Sequence, residues 1–294
     1  MSIHKRHLSA PRRRSRSFSI LEIARYVCLP RLPSETSIFF CFTGVGPADR
    51  TGAVENSLGP CRKPKSTISG WTLTLVRFNE VESLTCHFKC DSMGSDLWLF
   101  EKKAIKKGFL KIAGIDEAGR GPLAGPVVSA AVVLPSCFQV SGICDSKKLS
   151  PKKRNYFYEK IYELAVSIGI GIVDPPEIDR SNILQSSLMS MAIAAENLAP
   201  QPDCLLIDGI FTVSSDLPQE PIPKGDGLSI SIAAASIVAK VTRDRLMESY
   251  HQYYPQFGFS KHKGYPTKAH KAAIKKYGCS PIHRRTFKGV REHL

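Results

Sequence analysis

No apolar run in these 294 residues approaches the roughly 20 residues that a membrane-spanning helix needs, so no membrane association is expected. Acids are in short supply: 41 Lys+Arg stand against 26 Asp+Glu, a formal net charge of +15 that points towards a polyanionic partner. A disulfide framework is also missing. The nine cysteines, Cys28, Cys41, Cys61, Cys86, Cys90, Cys137, Cys144, Cys204 and Cys279, are odd in number and share no repeated spacing. Cys86, His87 and Cys90 resemble half a zinc site, but no second Cys or His pair follows at finger spacing. Unligated thiols in a reducing, cytoplasmic setting are the expectation.

Sustained periodicity is absent from residues 1–92. The first twenty residues carry Arg12, Arg13, Arg14 and Arg16 with no acid before Glu22, as a basic tail or an organellar presequence would. Short apolar pieces such as Ser37 to Phe42 and Trp71 to Val76 follow, punctuated by Gly, Pro, Ser and Thr, and no second domain is evident. A third reading makes the segment upstream sequence, with Met93 as the true start. Residues 1–92 hold net +7 and residues 93–294 net +8, so the longer part is moderately basic and is expected to carry a cationic groove.

From Asp96 onward the pattern alternates β and α. Asp96 to Lys107 reads as a helix that stops at Gly108, before the apolar strand Lys111 to Ile115. Val127 to Leu134 reads as a second buried strand. Ser150 caps a helix with Pro151 at its first position, running to Val166, and Ser167 to Val173 alternates as a strand. Asp179 to Leu198 reads as one amphipathic helix whose methionines fill core. Cys204 to Asp208 is a short apolar strand ending in a carboxylate, and Ser229 to Tyr250 a long helix with cationic positions at Lys240, Arg243 and Arg245. A last helix is capped by Thr267 and stopped by Gly278.

Chemistry centres on the turn after the first strand, where Asp116 and Glu117 are followed by Gly119, Arg120, Gly121 and Gly125. Adjacent strand residues point to opposite faces, so a bend or bulge is expected if both acids serve one ion. Alone, the pair reads as a solvated turn and Asp226 as a helix cap. Two more acids change the weighing, because Asp208 ends a later strand and Asp226 precedes a helix. Four crowded carboxylates repel unless divalent cations lie among them, and an all-oxygen set favours Mg²⁺ or Mn²⁺. Two such ions about 3.5 to 4 Å apart activate a water and stabilise a leaving oxygen in phosphoryl displacement, the chemistry of a nuclease.

The blocks Ile115 to Val127, Asp145-Ser-Lys-Lys-Leu149, Ile207-Asp-Gly209, Lys224-Gly-Asp226, Ser231 to Asp244, His262-Lys-Gly-Tyr-Pro-Thr267 and His283-Arg-Arg-Thr-Phe287 resemble, in this order, the type 2 ribonucleases H, specifically the bacterial ribonuclease HII family. The resemblance covers nearly all of residues 93–294 and none of 1–92. It implies an α/β, ribonuclease H-like fold, with a mixed central sheet, flanking helices and a helical C-terminal part. It also implies hydrolysis of the RNA strand of RNA/DNA hybrids, and cleavage 5′ of single ribonucleotides in duplex DNA that leaves 3′-hydroxyl and 5′-phosphate ends. By the same resemblance Asp116, Glu117, Asp208 and Asp226 are the catalytic metal ligands. Gly119, Arg120 and Gly121 read the ribose 2′-hydroxyl, Tyr265 stacks at the RNA–DNA junction, and Lys147 and Lys240 contact the backbone. A monomer is expected. A transposase- or integrase-like nuclease of the same general fold, or a hybrid-binding module without catalysis, are the competing readings; the first lacks the Gly-Arg-Gly loop and Tyr265, and the second does not need four acids.

Overall fold

The computed structural model describes residues 96–138, 140, 142–143, 146 and 149–294, together with the backbone of two strands further upstream. Those two, β1 (Phe39–Thr43) and β2 (Thr72–Val76), pair antiparallel and coincide with the two apolar pieces singled out from sequence. The other expectations for residues 1–92, and Lys147, lie outside the described residues.

The main sheet has the order β5-β4-β3-β6-β7, formed by β3 (Ile112–Ala118), β4 (Val127–Val133), β5 (Ser167–Val173), β6 (Cys204–Asp208) and β7 (Gln219–Ile222). β4 runs antiparallel to its neighbours β3 and β5, whereas β3, β6 and β7 run parallel, so the sheet is mixed. One face is covered by α5 (Ile230–Tyr253) and α2 (Pro151–Leu164), whose apolar side chains cluster with Val128, Ala130 and Val132. The opposite face meets α4 (Ile183–Glu196), where Met191, Ala194 and Ala195, with Leu198 just past its end, pack with Ala113, Ile115 and Ala131. With helices on both sides, β4 is buried at every position.

Glycines decide how close the helices come. A Cβ on Gly114 of β3 would collide with the backbone of Ser231 and Ile232 in α5, and Cβ atoms on Gly169 and Gly171 would collide with the carbonyls of Ala194 and Ser190 in α4. The Ile-Gly alternation of β5 is therefore isoleucines packed towards α2 and α5, and glycines that admit α4.

Local signals set most of the ends. Ser150 accepts the Lys153 N–H at the start of α2, and Thr267 accepts that of His270 before α7 (Lys268–Tyr277), which Gly278 ends at φ +74°. The lead helix α1 is shorter than expected, Leu99–Lys106, because the Asp96 carboxylate takes the Trp98 N–H and Lys102. The helix expected over Asp179 to Leu198 is two, α3 (Pro175–Arg180) and α4. Asn182 breaks it by capping α4 through the Gln185 N–H, while Asp179 is drawn away to accept from Arg285 N, Thr286 N and the Thr286 hydroxyl. After α5, a short α6 (Phe259–His262) and α7 make up the helical C-terminal part. Among the described residues Cys137, Cys204 and Cys279 are free thiols, and no helix is long and apolar enough to cross a membrane.

Candidate active site

The parallel register between β3 and β6 ends at Ile115 opposite Ile207, so the next residues, Asp116 and Asp208, emerge side by side on the face covered by α5. Asp116 is buried, and the Ser236 hydroxyl of α5 donates to it. Ser236 in turn lies 2.9 Å from the Ser146 hydroxyl, a chain that fixes the direction of the carboxylate. The Glu117 N–H donates to Asp116 Oδ1 at 2.7 Å, and Asp208 Oδ1 accepts the Gly225 N–H at 2.7 Å.

One carboxylate oxygen from each of Asp116, Glu117 and Asp208 lies within 4.8 Å of the others. The expected bulge is not needed. The β3–β4 ladder continues unbroken to Ala118 opposite Val128, and Glu117, with its extra methylene, reaches the group past the end of the β6 pairing. Burial pushes the Asp116 carboxyl well above its ordinary range, and the neighbouring Glu117 and Asp208 push it further. Glu117 is also raised, by burial first; Arg120, 3.2 Å away, opposes the shift and Asp208 adds to it. Such a set, short of counter-charge, suits a hard divalent cation bound through oxygen.

Asp226 stands beside this group and not within it. It lies buried in the 3-10 turn Gly225–Gly227, which the Gly225–Asp208 hydrogen bond ties to β6. Nor does it cap α5, since Ser229 does so by accepting the Ile232 N–H.

The Gly-rich loop runs beside the acids, with Gly119 at φ +105° and Gly125 at φ +86°. A Cβ on Gly119 would strike the Arg243 side chain. Arg120 is half exposed and turned onto Glu117. Gly121 faces the ring of the half-exposed Tyr265, whose carbonyl accepts from His270 Nδ1 at 2.9 Å. Lys240 is bound to Asp244 at 2.7 Å, and burial lowers its pKa. It is a held cation on the Ser236 side of α5, not an exposed one.

Sequence reasoning missed two groups and misjudged a third. Ser236 and Arg284 fall within the blocks Ser231 to Asp244 and His283 to Phe287 but were given no role of their own, and Arg243, read as a cationic helix position, is 1% exposed. Arg245 is also engaged, its guanidinium 4.4 Å over the Tyr158 ring.

The model of the family described as Ribonuclease HII matches residues 113–290. This chain belongs to the ribonuclease HII family. It is 55% identical over 205 residues to ribonuclease HII of Geobacter metallireducens, covering 69% of this chain and 96% of that one. With the Enterococcus faecalis ribonuclease HII it shares 56% over 195 residues, 66% of this chain and 76% of the relative. The crystal structure of the ribonuclease H2 from Pyrococcus horikoshii OT3 superposes with a TM-score of 0.53 at 30% identity, over 62% of this chain and 96% of that one. The protein is accordingly a ribonuclease H, a metal-dependent endonuclease of RNA/DNA hybrids with a ribonuclease H-like α/β fold. The reading as a transposase-like nuclease gives way to it.

Proposed function

We propose that this ribonuclease HII cuts 5′ of single ribonucleotides embedded in duplex DNA as well as within longer hybrids, leaving 3′-hydroxyl and 5′-phosphate ends. The observation that carries this is the placement of the Gly119–Gly121 loop between a close carboxylate group and the half-exposed Tyr265 ring. One ribonucleotide spans that arrangement, with its phosphate at the acids, its 2′-hydroxyl at the loop and the following deoxyribose at the tyrosine.

Asp116, Glu117 and Asp208 hold Mg²⁺ or Mn²⁺ in this reading, with Asp226 joining them from the Gly225–Gly227 turn. Divalent metal bound there would supply Lewis-acid chemistry, activating a water and offsetting charge on the leaving 3′-oxygen. The protein's own groups do the rest. Ser236 keeps the Asp116 oxygens aimed, the Gly225 N–H keeps Asp208 aimed, and Arg120 restrains Glu117. Exposed lysines of α7 and its approaches, such as Lys261, Lys268 and Lys271, hold phosphate without regard to sugar.

The test is the ratio of cleavage rates on a duplex with one ribonucleotide and on a long hybrid, for wild type and Tyr265→Ala at one salt concentration. Loss of a stacking contact worth about 1–3 kcal/mol should fall hardest on the single-ribonucleotide duplex. An unchanged ratio would make Tyr265 a packing residue and remove the junction reading.

A further inference from the structure

Arg243 and Arg284 are both buried, yet among the described residues neither pairs with a carboxylate, and every hydrogen bond they make ends on a backbone carbonyl. Arg243 takes the carbonyls of Ala124, Pro126 and Lys263. Arg284 takes Gly125 through Nε at 3.0 Å, Arg120 through Nη1 at 2.9 Å and Gly119 through Nη2 at 2.5 Å. Five carbonyls of one short loop are thus drawn inward onto two cations.

The trans peptide is planar, so each N–H points opposite the carbonyl that precedes it. Fixing the carbonyls of Gly119 and Arg120 on Arg284 turns the N–H groups of Arg120 and Gly121 the other way. Among the described residues neither amide has a hydrogen-bond partner, and Pro122 behind them has no N–H to compete. A Cβ at Gly121 would lie 3.7 Å from Tyr265 Cε1, so the residue that carries the second donor sits beside the tyrosine ring. The guanidinium also polarises both peptides it holds, which strengthens the outward N–H groups as donors. Only a planar fork can hold two consecutive carbonyls and a third on its Nε; an ammonium at the same place offers no such geometry.

We propose that Arg284 is a positioning residue for sugar recognition: it orients the Gly119–Gly121 peptides so that two adjacent N–H groups donate to the 2′-oxygen of a ribonucleotide. This rests on the reading of that loop as the ribose-contacting element. Arg243 braces the other arm of the loop and is the matched control, being equally buried but bonded to carbonyls whose peptides lie beyond Pro122.

The experiment compares binding of a duplex with one ribonucleotide and of its all-DNA counterpart, in EDTA to prevent turnover, for wild type, Arg284→Lys and Arg243→Lys. Amide resonances of Arg120 and Gly121 are followed in wild type with each duplex. Arg284→Lys should lower the preference for the ribonucleotide duplex by about tenfold to a hundredfold while leaving all-DNA affinity unchanged. Arg243→Lys should change the preference less, and the two amides should shift only with the ribonucleotide duplex. An unchanged preference in Arg284→Lys, an equal loss in Arg243→Lys, or amides that respond alike to both duplexes overturns the proposal. A wild type that binds both duplexes equally overturns instead the reading of the loop as a ribose contact.

Discussion

Replacing Glu101 by alanine tests whether the lead segment before the first sheet strand is structural. Glu101 is 2% exposed in α1, and its Oε1 accepts from the Ser229 hydroxyl at 2.6 Å and the Ser231 N–H at 3.0 Å, both at the N-terminus of α5. Leu97, next to the same helix, takes the Ile230 N–H on its carbonyl at 2.8 Å. Two hydrogen bonds to a charged acceptor are together worth roughly 3–6 kcal/mol. Against this stands desolvation: burial is the leading cause that raises the Glu101 carboxyl above its ordinary 4.5. After that penalty the net loss in Glu101→Ala is about 2–4 kcal/mol, a fall in Tm of roughly 5–15 °C for a domain of this size. Turnover measured well below the transition should survive, since Ser236 lies nearly two turns further along α5. Glu101→Gln separates charge from shape. The folded carboxyl keeps its proton to higher pH than the unfolded one, so its contribution is full below about 4.5 and is lost as pH rises through the folded value. The glutamine variant should therefore gain on wild type as pH rises from there. A drop of less than about 2 °C in Glu101→Ala would show that α1 does not hold the start of α5.

Asp116→Asn and Asp208→Asn should each nearly abolish cleavage while hybrid binding survives in a filter or anisotropy assay, and Asp226→Asn should be severe but partly restored by Mn²⁺. A chain starting at Met93 should unfold cooperatively and cut, because α1 and everything it touches among the described residues is retained. Burial holds His270 and His283 down at about 4, with mutual repulsion adding to it in His283. Between there and the ordinary 6.5 the unfolded chain takes up protons that the folded one refuses, so stability is full above about 6.5 and lost as pH falls towards 4. Thermal melts from neutral to acid pH should show this slope, flattened in His283→Asn. Gly171→Ala should destabilise by roughly 3 kcal/mol in chemical denaturation, because its Cβ would meet the Ser190 carbonyl of α4, which cannot turn aside.

What was legible from sequence was what short-range chemistry controls. Ser150-Pro151 and Thr267 with Gly278 mark helix ends because capping is settled within four residues, and β5 falls on Ser167 to Val173 because its pattern is local. The break at Ser181-Asn182 was hidden because the polar run Asp179 to Asn182 reads as the first turn of the apolar-periodic helix after it, and because the Asp179 carboxylate is held by a partner more than a hundred residues away. The acids were found by type and by strand ends, but their proximity depends on the β3–β6 register, which no local pattern displays. Charge misled most at Arg243 and Arg284. An arginine in a helix or a basic tail is usually solvated, and nothing beside either residue marks it as buried. Their role becomes visible only once the Gly119–Pro126 loop turns its carbonyls inward. A loop of glycines bent to expose N–H groups must satisfy its carbonyls somewhere, and with helices packed behind it the available donors are side chains long enough to reach several at once. In that sense the Gly-Arg-Gly element and the two distant arginines are one device, split across the sequence because the donors come from α5 and the C-terminal segment that close over the loop.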